Sequence, residues 1–192
     1  MKKFILFLIT AMFAICANAQ NIQKGYHGFA ELGYNKCISQ LDPSTIEITT
    51  SHGYQFNPYI FLGAGVGFDF IGNCQWGEIG GYAYEKRDSK VDIPVFFNVH
   101  SNFTKTKFSP FLDVKVGAYV NNDHNKYAKV SLGCRYALGN NMGLSLSVGY
   151  KYRDATIQHL EISPERYSIS YYYRDETGRT LDGISIDLGF DF

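Results

Sequence analysis

The chain has 192 residues and a mass of 21.7 kDa, enough for one domain and too short for two comfortable ones. Lysine and arginine (18) balance aspartate and glutamate (18), so no basic surplus points to nucleic acid or to an acidic membrane surface. Fifteen Tyr, fifteen Phe and nineteen Gly in a chain only 19% charged exclude a disordered protein and disfavour a helical one.

The first segment reads as an address. Met1-Lys2-Lys3 is a basic opening, Phe4 to Ile15 is apolar apart from Thr10, and Ala17-Asn18-Ala19 supplies small residues at the cleavage positions. This predicts a secretory signal peptide over 1–19, cut before Gln20, with residues 20–192 as the mature domain. A lipoprotein signal is rejected, because Ile15 precedes Cys16 where a small residue is expected. Cleavage removes two lysines and no acid, leaving 16 basic against 18 acidic side chains, net −2. Cys37, Cys74 and Cys134 remain, an odd count that makes no disulfide framework in an oxidising compartment.

From Gly25 onward, period-two alternation recurs between turn signals and predicts eight strands, at 26–34, 46–56, 59–70, 91–103, 108–120, 127–138, 142–153 and 180–192. Each is about the length that a tilted strand needs to cross a bilayer. The third strand puts Ile60, Leu62, Ala64, Val66, Phe68 and Phe70 on one face, and Phe61, Gly63, Gly65, Gly67 and Asp69 on the other. The seventh sets Leu144, Leu146, Val148 and Tyr150 against Ser145, Ser147, Gly149 and Lys151. From the third strand to the eighth, no Asp, Glu, Lys or Arg falls on the apolar parity apart from Asp182 near the start of the last. A Lys or Arg facing lipid at mid-depth costs ~2–4 kcal/mol, so that gap is informative.

The connections alternate between short (57–58, 104–107, 139–141) and long (35–45, 71–90, 121–126, 154–179). That rhythm predicts an all-β fold, an eight-stranded antiparallel up-and-down transmembrane β-barrel with both termini in the periplasm. Alternation alone leaves open an inside-out reading, a soluble lipocalin-like barrel with the apolar face inward. Gly and Ser on the polar face favour a narrow lumen instead. So do aromatics near the strand ends at Tyr26, Tyr34, Phe68, Phe70, Phe103, Tyr150, Tyr152, Phe190 and Phe192.

Three segments, Gly28-Phe-Ala-Glu-Leu-Gly-Tyr34, Gly63-Ala-Gly-Val-Gly-Phe-Asp-Phe70 and Gly183-Ile-Ser-Ile-Asp-Leu-Gly-Phe-Asp-Phe192, carry a resemblance. The pattern resembles the small eight-stranded outer-membrane barrels of Gram-negative bacteria, of the OmpA, OmpX and PorT-like type. The resemblance implies an outer-membrane location, contact with outer-membrane lipid, and recognition by the barrel-insertion machinery through a last strand carrying Phe190 and Phe192. It is silent on activity, because barrels of this size host unrelated functions.

No chemistry stands out. Gly63 to Gly67 fails as a dinucleotide loop because no helix follows, and no cofactor or metal is expected. His27, His52, His100, His124 and His159 stand singly. None begins the His-x-Ser of one lipid-modifying barrel class; His124 beside Asp123 is the weak trace of another. The chain is therefore read as a monomer and not an enzyme, with a structural or surface-contact role through its extracellular loops. The alternatives are a narrow ion or solute channel and a lipid-modifying enzyme.

Three groups of residues are candidates for that role. Glu31, Asp113, Lys115, Arg135 and Asp187 lie three to six residues above the periplasmic ends and should pair across the lumen, as a plug or as a gate. The loop 154–179 holds Tyr167, Tyr171, Tyr172 and Tyr173. Its alternation predicts that the last two strands continue outward as a hairpin turning near 163–166, an edge that a surface or secretion-complex protein could extend. Cys37 and Cys74, both expected in extracellular loops, form a candidate disulfide worth about 4 kcal/mol by chain entropy, with free thiols the equal alternative.

Overall fold

The computed structural model describes residues 24–38, 44–79, 82–121, 126–139, 141–164, 169–180 and 182–192. The expected signal peptide lies outside them. Among the described residues twelve strands form: β1 (Gly25–Cys37), β2 (Thr45–Asn57), β3 (Ile60–Ile71), β4 (Cys74–Ile79), β5 (Tyr82–Arg87), β6 (Lys90–Asp92), β7 (Pro94–Asn102), β8 (Phe108–Tyr119), β9 (Lys126–Ala137), β10 (Gly143–Pro164), β11 (Ile169–Thr180) and β12 (Gly183–Asp191). Eight of them close a barrel in the order β12-β1-β2-β3-β7-β8-β9-β10, with β10 pairing back onto β12. All these pairs are antiparallel, so the fold is the expected closed up-and-down barrel, with no unpaired edge along its wall.

The side-chain period of two decides what each face meets. Apolar residues project outward: Leu132 is 60% exposed, Leu146 58%, Leu188 55% and Phe97 75%. The opposite parity is buried in the lumen and carries Glu47, Asp69, Asp113, Lys115, Lys129, Lys151 and Arg153. This arrangement overturns the lipocalin-like alternative, which needs the apolar face inside. The aromatic residues expected near the strand ends project outward, with only Tyr152 half-buried.

Three departures have local causes. The expected fourth strand is broken at Ile93, because Pro94 has no amide hydrogen for the ladder; Ile93 instead donates its N–H to the Asn121 side chain at 3.0 Å. The connection 71–90 is not all loop but holds the β4–β5 hairpin, whose tyrosine alternation is diluted by Gly77, Gly80 and Gly81. The eighth expected strand begins three residues later than expected, at Gly183, because Thr180 is the last residue of β11.

The hairpin expected after the seventh strand is present. β10 runs 22 residues, of which those to Arg153 pair within the barrel; the rest continue beyond it, paired with β11 as far as Pro164 opposite Ile169. At ~3.3 Å per residue this outer part reaches on the order of 30 Å past the rim. Gln158 and His159 also pair with Lys86 and Glu85, so β11-β10-β5-β4 form one projecting sheet.

Candidate functional site

Lumen side chains are positioned by strand register. At the short-turn end, Arg135 grips Asp191, with Nε 2.9 Å from each carboxylate oxygen, and His27 Nε2 lies 3.3 Å from the same carboxylate. Above this pair sits an aromatic layer. Phe29 packs on Phe61 (4.9 Å between centroids) and on His100 (4.8 Å), and His100 packs on Phe111 (4.5 Å). Glycines make the room. Phe111 lies opposite Gly133, and Phe96 lies between Gly65 and Gly117. A Cβ on Gly133 would fall 2.5 Å from the Phe111 ring.

Higher up, Lys115 donates to Glu31 (2.6 Å) and Asp113 (2.7 Å), and Asp113 also meets His100 at 3.1 Å. Toward the long-loop end, Lys129 bridges Asp187 (2.6 Å) and Glu47 (3.3 Å), while Lys151 bridges Glu47 (2.9 Å) and Asp69 (2.6 Å). Tyr127 and Tyr119 donate their hydroxyls to Glu47 and Asp69. Arg153 reaches only to 3.9 Å from Asp69, and its two terminal nitrogens are buried without a hydrogen-bond partner.

The five residues expected as one charge cluster are thus divided. Glu31, Asp113 and Lys115 touch; Asp187 joins through Lys129 in the next layer; Arg135 belongs to a lower pair with Asp191. Strand parity puts Asp69 and Lys151 on the polar face, but a height counted from one end stops below both of them. Phe61 is inward as its parity expects, whereas Glu47, Phe29, Phe96 and Phe111 lie outside the expected lumen set. For Glu47, Phe96 and Phe111 the signal is the cross-strand pairing of a large residue with glycine, which becomes visible only once the register is known.

The remaining candidates sit at the ends of the barrel. Phe190 and Phe192 project outward, and Phe192 exchanges backbone hydrogen bonds with Gly28 at 2.8 and 3.0 Å. Cys37 is the buried last residue of β1 rather than a loop residue; the side chain of Cys74 lies outside the described residues, and so does the test of their pairing.

On the projecting sheet, Tyr172 is 48% exposed and donates its hydroxyl to Glu161 at 2.6 Å, and Arg174 donates to the same carboxylate at 3.0 Å. The hydrogen bond from Tyr172, then the bond and charge of Arg174, hold the Glu161 carboxyl below its ordinary range. Tyr173 takes the opposite strand parity beside buried Leu160, so these two tyrosines do not share a patch. Tyr167 and the side chain of Tyr171 lie outside the described residues.

No family model matches the chain, and no curated protein matches it. Solved structures do. Neisserial surface protein A is 15% identical with a TM-score of 0.49, over 87% of this chain and 96% of that one. A barrel from the de novo design of transmembrane β-barrels is 13% identical (TM-score 0.45; 91% and 98% covered), and the designed TMB2.3 is 16% identical (TM-score 0.42; 92% and 95%).

Proposed function

We propose that the protein is an integral outer-membrane barrel, its short-turn end in the periplasm, acting through the sheet that projects from its other rim. The inversion of polarity carries this reading: large apolar side chains point outward while seven or more charged ones are buried inside. Such a surface is stable against hydrocarbon and unstable in water. The leader 1–19, cleavage before Gln20, insertion through Phe190 and Phe192, and a monomeric, non-enzymatic state belong to the same proposal.

A lumen filled by ion pairs and aromatic rings supports a static scaffold. The surface-contact role rests on β11, which has β10 on one side and no described strand on the other, with Tyr172 and Arg174 exposed along it. Mature protein in isolated outer membranes should change gel mobility on boiling; a soluble periplasmic protein with no mobility change refutes the membrane reading. Deleting residues 157–173 should leave that mobility change intact and abolish surface binding, and retained binding refutes the contact role.

A narrow channel is the second reading, favoured by Asp69, which accepts from Lys151 while Arg153 waits 3.9 Å away. Exchange of such pairs is the motion that a gate needs. Replacing Lys115 and Arg135 together by Ala should then raise single-channel conductance, and unchanged conductance sinks the gate.

A further inference from the structure

The outward wall has a groove in it. Cys134 on β9 pairs with Pro110 of β8 on one side and Leu146 of β10 on the other, and Leu146 pairs in turn with Leu188 of β12. A thiol therefore stands in a row of larger side chains, and the shortfall opens a trough of about 440 Å³ walled by Leu132, Leu144, Leu146, Tyr136 and Phe108. Those walls are apolar and outward-facing, so the trough opens toward the surroundings of the barrel and not into its lumen.

A charge stands beside one end of the trough, just outside its lining. Tyr136 and Phe108, which pair across β9 and β8, close it at the short-turn end, and Lys107 Nζ lies there, 5.0 Å from the Tyr136 ring centroid. The Lys107 carbonyl accepts the Ala137 N–H at 2.8 Å, which ties the turn to the foot of β9. Lys107 makes no ion pair among the described residues. Its ammonium is thus held beside an interfacial ring, at the level where lipid headgroups sit.

We propose that this groove is a phospholipid site, with an acyl chain lying over Cys134 and the headgroup phosphate on the Lys107 ammonium. The inference rests on the membrane reading above and adds to it a defined occupant in the periplasmic leaflet. Charge complementarity decides against a second copy of the chain: a two-fold pair across this face would bring a second lysine toward the first. An anion in water matches the cation but leaves the apolar trough uncovered, whereas a phospholipid satisfies both ends.

The test uses the mature barrel refolded into phosphatidylcholine vesicles containing phosphatidylglycerol, transferred to detergent and weighed intact by native mass spectrometry. The wild-type barrel should retain one phosphatidylglycerol. Cys134→Phe, which fills the trough, should lower that retention at least tenfold. Lys107→Gln should lower it about fivefold, the weight of one lysine near an anionic bilayer surface. Unchanged retention in both variants overturns the site. So does a Cys134–Cys134 disulfide-linked dimer that forms in the vesicles under a mild oxidant, since it assigns the face to a second copy. Gel mobility on boiling separates the two failures. A barrel that shifts on boiling but holds no lipid overturns the lipid site alone. A chain that neither shifts nor enters vesicles overturns the membrane reading, and the site with it.

Discussion

Lys115 is the most exacting place to ask whether the lumen is a packed interior or a wet passage. Its side chain is 2% exposed, its ammonium donates to Glu31 at 2.6 Å and Asp113 at 2.7 Å, and it stands 5.9 Å from the Phe96 ring centroid. Lys115→Met keeps the length and bulk of the side chain and removes the charge. Among the described residues, Asp113 would keep only His100 at 3.1 Å, and Glu31 only the Thr49 hydroxyl at 3.1 Å. Removing one partner of a buried ion pair costs about 3–5 kcal/mol, because the other charge is left desolvated. A pair in water is worth only about 0–1 kcal/mol. Equilibrium urea unfolding in lipid vesicles, followed by gel mobility without boiling, measures the difference. The triple variant Lys115→Met, Glu31→Gln, Asp113→Asn should recover most of the loss, since no charge is then stranded. A loss below about 1 kcal/mol in the single variant would refute the packed-plug account, because only solvated charges are that cheap to unpair.

Gly133→Val should cost about 1–3 kcal/mol in the same assay, because its added carbons meet the Phe111 ring and the Leu146 carbonyl. Val148→Arg puts a cation on the outward face, where Val148 is 55% exposed, and should cost ~2–4 kcal/mol in a bilayer; an unaffected barrel would argue that this face meets water. Glu161, held below its ordinary range when folded, adds to the stability of the β10–β11 hairpin above the unfolded carboxylate range and loses that contribution as pH falls through its folded value. The protection factors of the hairpin amides, taken relative to the intrinsic exchange rate at each pH, should therefore fall from pH 7 to pH 3, and Tyr172→Phe should shrink the change.

Much of the barrel is legible residue by residue, because a strand half-buried in a sheet writes its two environments into alternate positions. Ile60, Leu62, Ala64 and Val66 against Phe61, Gly63, Gly65 and Gly67 is enough to place β3, and the short and long connections then fix the up-and-down order. The same code is silent on which face is inside, and the inward phenylalanines blur it: Phe29, Phe61, Phe96 and Phe111 sit on the parity that otherwise carries glycine and charge. The β4–β5 hairpin was unreadable because its few tyrosines sit among glycines and charges, and what holds it is a pairing with β10 from seventy residues away.

Sequence by itself determined the strands, their parity and the charges available to the lumen, since these depend on neighbours two residues apart. Tertiary structure decided which charges meet. Lys115 finds Glu31 across 84 positions of chain and Lys151 finds Glu47 across 104, and only closure of the sheet, with its strand tilt and stagger, brings those heights into line. The groove over Cys134 has the same origin. A small residue is visible in any sequence, but a trough exists only where register sets Pro110, Leu146 and Leu188 in one row with it.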